Sequence, residues 1–387
     1  VAAAPLRVVI LGAGFGGLEV ATRLSAALGS EVDVRLVDRS DGFVFGFSKL
    51  DVMFGRTTAD HVHLAYADLA HPGVTLVRDE VVAIDPVGHV VTLGSGTLEA
   101  DVLVVALGAD LDPAATPGLT DGGHEFYSVA GAIEAGQALQ RFEGGRVVVA
   151  VTSTPFKCPP APSETALMVH DFLTGRGLRE RSEIELVMPL PRPIPPSPQA
   201  SEAVLEAFAE RGIGFRPGAM VRSVEDRGRR LVCSDGDTLD CDLLLAVPKH
   251  RAPAVVVASG LAEDGWVPVD PQTLRTRFAG VYAVGDVTSV GTPKAGVFAE
   301  GQAAVVAEQI IRERALTTSS AGYDGRGICY MELGGGRIGK VDVTFTPGEA
   351  PHGTLEGPSL ALAADKRAFG TDRALRWFGR DWTPVGE

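Results

Sequence analysis

Cysteine is scarce in this chain. Four residues in 387, with no CxxC among them, rule out a disulfide scaffold and the ligand spacing of a structural zinc site. The eight histidines contain no HxxxH, and His61 and His63 stand only two apart, so no metal is expected. Long apolar runs are missing too: none approaches the ~18 to 20 residues of a membrane-crossing helix, and residues 1–5 are too short a stretch for a signal peptide. Basic residues are in deficit, 35 against 49 acidic ones. The resulting formal net charge of −14 excludes nucleic acid as a partner, because phosphate binding needs a basic surface. Low-complexity tracts are absent as well, apart from PLPRPIPPSP at residues 189–198, which reads as an extended connector. What remains, at 45% hydrophobic residues, is an ordered chain long enough for two or three domains with cores of their own.

The clearest pattern opens the chain. An apolar strand at residues 6–11 runs into Gly12, Gly14 and Gly17 at GxGxxG spacing, a helix-like stretch follows at 18–28, and a second strand at 32–37 ends on Asp38. Such glycines permit a tight turn and close approach of a pyrophosphate, the helix start offers oriented N–H groups, and the acid is placed for a ribose hydroxyl. The order predicts a dinucleotide site. Short strands follow at 74–77, 81–84, 90–93 and 102–107, the last ending in Ala106, Leu107 and Gly108. Much later GVYAVGDV, at 280–287, reads as a strand ending in Gly285 and Asp286, before a helix predicted over 295–312.

Between these segments the order is strand 146–151, helix 162–173, strand 183–188, helix 199–211, hairpin-like segments and strand 242–247, the pattern of a second Rossmann unit. Its first turn, Thr152 to Pro155, contains no glycine, and its second strand runs into Pro189 and Leu190 where NAD needs an acid or NADP an arginine. A nicotinamide donor is therefore not expected. In the place of the glycines stands FKCPPAP, residues 156–162. Lys157 beside Cys158, and a helix predicted to start near Ser163, favour the thiolate, and the surrounding prolines stiffen the loop. Cys329, in YDGRGICY at 323–330, has by itself no stronger reading than burial. Cys233 and Cys241 flank the Asp235-Gly236 turn, are placed to face each other across a hairpin, and are expected to be structural.

The glycine turn, the Ala106-Leu107-Gly108 segment and GVYAVGD are similar to the three signatures of two-dinucleotide-binding-domain flavoproteins. FKCPPAP together with YDGRGIC resembles the two redox-cysteine motifs of sulfide:quinone oxidoreductases and of the flavoprotein subunit of flavocytochrome c sulfide dehydrogenase. The resemblance spans most of the chain. It implies FAD, with Gly12, Gly14, Gly16, Gly17, Asp38, Arg39, Lys49, Ala106 and Gly108 as its binding residues. It further implies Val82 near the adenine, Gly285 and Asp286 near the ribityl and pyrophosphate, and Lys294, Ala295 and Gly296 facing the ring. Cys158 and Cys329 would form a redox-active pair, bridged in the oxidised enzyme, with Glu164 matching an acid at the family's spacing. Hydrosulfide would be the substrate, guided by Lys157, Lys294 and helix starts, and a quinone or a cytochrome c would take the electrons.

The fold class so implied is α/β: two Rossmann-like domains and a small C-terminal segment. The FAD domain is discontinuous, residues 1–111 with 270–320; the second domain is 112–269 and the segment 321–387. The tail is shorter than the membrane-contacting end of these enzymes, which is a departure from the resemblance. Residues 368–382 still set Phe369, Leu375, Trp377, Phe378 and Trp382 among Arg373, Arg376 and Arg380. That pattern suits peripheral membrane contact, and packing in a homodimer or onto the body is the alternative. A cytoplasmic or membrane-peripheral location is expected, or a periplasmic one where a signal peptide has been removed. An NADH:quinone reductase and a flavin-binding protein without turnover stay open as other classes.

Overall fold

Two parallel five-stranded sheets carry most of the chain, in a computed structural model that describes residues 4–317 and 322–385. The first sheet runs Val281–Ala283, Val102–Val105, Leu6–Leu11, Val32–Asp38 and Val74–Arg78. Its central strands are buried on both faces, which is why they read as unbroken apolar runs. Val8 and Ile10 face one layer, where the helices Phe15–Leu28 and Gly296–Arg314 pack. Val9 and Leu11 face the other, covered by the meander Val81–Asp85, Val90–Leu93, Gly96–Glu99 and by Val256, Leu261 and Val267.

The second sheet repeats the plan: His124–Glu125, Leu243–Val247, Gly145–Val151, Ser182–Met188 and Ile213–Pro217, all parallel. Helices Val129–Arg141, Ala161–Gly175 and Pro198–Arg211 cover one face. A meander, Val221–Glu225, Arg230–Cys233 and Thr238–Asp240, covers the other. In each sheet the strand order reverses beside the central strand, Leu6–Leu11 in the first and Gly145–Val151 in the second, the place where open α/β sheets bind ligands beyond the strands' carboxyl ends. Gly12 follows that strand in the first sheet, and the FKCPPAP loop follows it in the second.

The chain closes with the antiparallel strands Arg326–Glu332, Ile338–Thr344 and His352–Ser359 and the helix Leu362–Phe378. Of the two readings of the tail, packing onto the body holds for three of its aromatics, while Leu375 stays exposed. Trp377, Phe378 and Trp382 lie in the core of the first domain with Phe43 and Phe45. The Trp377 indole donates to Glu19 at 2.8 Å, and Trp382 donates to the His61 carbonyl at 2.9 Å. Arg373 pairs with Glu300 at 2.7 Å and Arg376 with Glu19 at 2.8 Å. The body thus supplies both an aromatic slot and the acids that the tail's arginines need. No helix among the described residues is long and apolar enough to cross a membrane.

Two further expectations change. The helix after Cys158 begins at Ala161, two residues nearer the cysteine than Ser163. Cys233 and Cys241 are buried but do not face each other: the Cys233 N–H donates to the Asp237 carbonyl, and the Cys241 N–H to that of Arg229. Arg230 pairs with Asp240, so the register leaves Cys241 past the end of its strand. All four cysteines are free thiols.

Candidate active site

The carboxyl ends of both sheets open onto one cavity of about 410 Å³, and a second of about 370 Å³ adjoins it. Gly14, Ala106 and Gly108 line both, so the two form one long cleft pinched at the glycine turn. Gly12 needs its left-handed φ of +97° to make that turn. A Cβ at Gly17 would lie 1.8 Å from the Gly12 carbonyl oxygen, whereas a Cβ at Gly14 would meet nothing within 4 Å. The first and third glycines let helix pack on strand, and the middle one opens onto space. An elongated cleft waisted at bare backbone N–H groups fits a dinucleotide.

The smaller cavity holds Asp38, Arg39, Glu80 and Val81. Asp38 is set by the N–H groups of Ala13 and Ser40, each at 2.8 Å. Val82 is 57% exposed, and it is Val81, its neighbour on the other face of the strand, that lines the cavity. Arg39 stands 4.0 Å from Asp110 at the exposed rim.

The larger cavity gathers Gly14, Gly16, Lys49, Ala106, Gly108, Lys157, Cys158, Glu164, Gly285, Asp286, Lys294, Ala295, Gly296 and Cys329. Three helices start at its wall, Phe15–Leu28, Ala161–Gly175 and Gly296–Arg314, and none has a side-chain cap. The free N–H groups at the starts of Phe15–Leu28 and Gly296–Arg314, and the positive dipole ends of all three, make the cavity favourable to anions although the whole chain is acidic; the first N–H groups of Ala161–Gly175 are spent on the Cys158 and Pro160 carbonyls. Three of its lysines are held by main-chain carbonyls: Lys49 donates to Tyr127 at 2.7 Å, Lys157 to Ala109 at 3.0 Å, and Lys294 to Asp286 at 2.6 Å and Thr288 at 3.0 Å. Lys294 also sits 3.3 Å over the Trp266 ring. Burial brings Lys49 and Lys294 down to about 8, with Lys157 adding to the effect at Lys49.

Cys158 and Cys329 come to this cavity from distant segments, one on the loop before a helix and the other on the strand Arg326–Glu332. Cys158 has a left-handed φ of +49°, held by its N–H donating to the Lys294 carbonyl at 2.7 Å and its own carbonyl accepting from Ala161 at 2.9 Å. A side-chain residue held in this region is strained, and such positions gather at working sites. Burial, then Glu164 and Cys329, push the Cys158 thiol well up, and burial and Glu164 push Cys329 up to about 12. This revises the expectation of a favoured thiolate at Cys158. Lys157 turns its ammonium to Ala109, and the cation that feels the Cys158 sulfur is Lys49.

Behind the thiols lies a buried charge cluster that the sequence did not announce. Glu164 accepts from the Glu332 N–H at 2.9 Å, and Glu332 is bridged by Arg56 at 2.7 Å and Lys366 at 2.6 Å. Burial raises Glu164 to about 7 and Asp51 to about 6. At Glu332 burial is outweighed by Lys366 and Arg56, and the carboxyl stays below its ordinary value. Tyr127 and Lys366 also line the cavity without any motif to mark them.

Residues 6–309 match the pyridine nucleotide-disulphide oxidoreductase family, and the chain belongs to that family, as an FAD-binding oxidoreductase. Within it, the chain is 26% identical over 359 residues to the mitochondrial sulfide:quinone oxidoreductase of Mus musculus, spanning 88% of this chain and 78% of that protein. It is 28% identical over 244 residues to the alternative NAD(P)H-ubiquinone oxidoreductase C1 of Arabidopsis thaliana, over 57% of this chain and 45% of that one. The fold matches the X-ray structure of the sulfide:quinone oxidoreductase from Aquifex aeolicus with a TM-score of 0.85, at 22% identity, over 96% of this chain and 92% of that chain.

Proposed function

We propose that this protein oxidises hydrosulfide through Cys158 and Cys329 and delivers the electrons, by way of FAD, to a quinone. The observation that carries the reading is that two thiols from distant segments line one anion-favouring cavity at the end of a dinucleotide cleft. Similarity to sulfide:quinone oxidoreductases along most of the chain supports it. In this reading residues 1–111 and 270–320 hold the cofactor, 112–269 present Cys158, and 321–387 present Cys329. Gly14 and Gly16 take the pyrophosphate, Asp38 a ribose, the Val81-Val82 strand the adenine, and Asp286, Lys294 and Gly296 the other end. When bound, FAD supplies the two-electron sink for the thiol pair and passes the electrons to the acceptor.

The oxidised pair is a Cys158–Cys329 bridge. Hydrosulfide attacks one sulfur, an S–S bond to that cysteine forms, and the bridge breaks with its electron pair left on the other cysteine as a thiolate. The uncapped helix starts and Lys49 draw the anion in. Glu164, held at about 7, takes the proton of the persulfide, and its link through the Glu332 N–H ties it to Arg56 and Lys366.

Anaerobic sulfide is expected to bleach the bound flavin. Cys158→Ser and Cys329→Ser should each retain FAD and lose that bleaching, and undiminished bleaching in either variant rules out the paired-cysteine chemistry. Excess quinone should reoxidise the reduced protein. A cytochrome c acceptor is the second reading, favoured by the net charge of −14, which complements a basic haem protein. A nicotinamide donor is the third, favoured by the similarity to the Arabidopsis protein and opposed by the glycine-free turn at Thr152 to Pro155. Rapid bleaching by NADH would select it.

A further inference from the structure

The glycine turn is held by a tyrosine from outside its motif. The Tyr66 hydroxyl donates to the Ala13 carbonyl at 2.8 Å, a buried bond across 53 residues, and the residue is 4% exposed and lines the smaller cavity. The Ala13 N–H donates to Asp38 at 2.8 Å, so both polar groups of the residue between Gly12 and Gly14 are fixed by side chains. In a trans peptide the carbonyl and the N–H that follows it point to opposite sides. Holding the Ala13 carbonyl therefore turns the Gly14 N–H away from Tyr66, and Gly14 lines both cavities. The Tyr66 backbone is tied in as well, its N–H donating to the Asp41 carbonyl at 2.9 Å.

The segment that carries this tyrosine is gripped by the end of the chain. The Tyr66 ring stacks on Phe378, with centroids 6.4 Å apart and planes 14° from parallel. In the same segment Asp68 accepts from Arg380 at 3.2 Å, and His71 donates through Nε2 to the Trp377 carbonyl at 2.6 Å. Trp377 meets the Phe15 ring edge-on at 5.4 Å, and Phe15 is the first residue of the helix after the turn. The end of the helix Leu362–Phe378 thus reaches the glycine turn twice, through Tyr66 at Ala13 and through Phe15 next to Gly14.

We propose that Tyr66 is a positioning residue for the cofactor's pyrophosphate, and that the C-terminal helix, by holding Tyr66 and Phe15, governs how tightly FAD is retained. The proposal rests on the reading that Gly14 and Gly16 take the pyrophosphate, and not on the sulfide chemistry. A turn released from Tyr66 must be ordered again each time the cofactor binds, which lowers affinity. By linkage, FAD then steadies the helix by the same free energy as the docked helix steadies FAD.

Titration of FAD into the FAD-free protein, with urea unfolding in both forms, tests the role of Tyr66. Tyr66→Phe keeps the ring stack and loses only the hydroxyl. Its dissociation constant for FAD should rise about three- to tenfold, and its loss of stability should be larger with FAD bound than without. Unchanged affinity, with an equal loss of stability in the two forms, is what packing alone would give and overturns the proposal. Hydrogen exchange in the parent protein tests the coupling without any variant: FAD should slow exchange more in Leu362–Phe378 than in the helix Pro198–Arg211 on the second sheet. Equal slowing in the two helices overturns it. Gly14→Val separates this proposal from the reading beneath it, because a side chain there enters open space in the cleft and not the protein. Normal FAD binding by Gly14→Val removes the pyrophosphate site itself, whereas lost binding there with Tyr66→Phe unaffected removes only the role of Tyr66.

Discussion

At the scale of single residues, the site works by placing groups where their ordinary ionisation is disturbed. Glu164 is the clearest case, with burial lifting its carboxyl from 4.5 to about 7. The folded protein keeps a proton there that the unfolded chain has already released, so this group's contribution to stability falls as pH rises from about 4.5 and is lost above 7. Glu164→Gln keeps an acceptor for the Glu332 N–H and removes that loss. Against the parent, the variant should gain roughly 2 to 3 kcal/mol between pH 5 and pH 8 in urea unfolding. An unchanged difference would place the carboxyl at its ordinary value. Asp38 was legible from a motif defined by near neighbours in the chain, and Cys158 and Cys329 from the resemblance of their two loops to a known family. Tyr127 and the Glu332 cluster were not, since Arg56 reaches Glu332 across 276 residues and Lys366 reaches it across 34.

At the scale of elements, the C-terminal helix decides more than its amphipathic sequence suggested. Trp377 is fully buried against Phe15, Phe43 and Phe45, and its indole donates to a buried Glu19. Trp377→Ala should cost about 3 to 5 kcal/mol by emptying that slot, and more if Glu19 is left without its donor. The denaturant midpoint measures this, and an unaltered midpoint would return the tail to the surface. Aromatic and basic residues in alternation have the same pattern whether they meet a headgroup layer or a slot edged with acids. The sequence of the tail alone cannot separate the two, because Glu19 and Glu300 lie far upstream.

At the scale of the whole molecule, an acidic chain has built a locally positive cavity from three uncapped helix starts and lysines held on carbonyls. That contrast sets a test of the acceptor. Raising ionic strength from roughly 0.05 to 0.5 M shortens electrostatic screening to below about 5 Å. With sulfide saturating, reduction of a neutral quinone should be nearly unaffected by that change, whereas reduction of a basic cytochrome c should slow markedly. The sequence by itself determined the α/β class and the first glycine turn, because strand periodicity and turn chemistry are local properties, and its resemblance to a known family supplied the two cysteine motifs. Only the tertiary structure decided which side chains share the cavity, that Trp377, Phe378 and Trp382 are core, and that burial raises the Cys158 thiol while Lys157 turns to Ala109. Those outcomes depend on desolvation and on partners from distant segments, which no window of sequence contains.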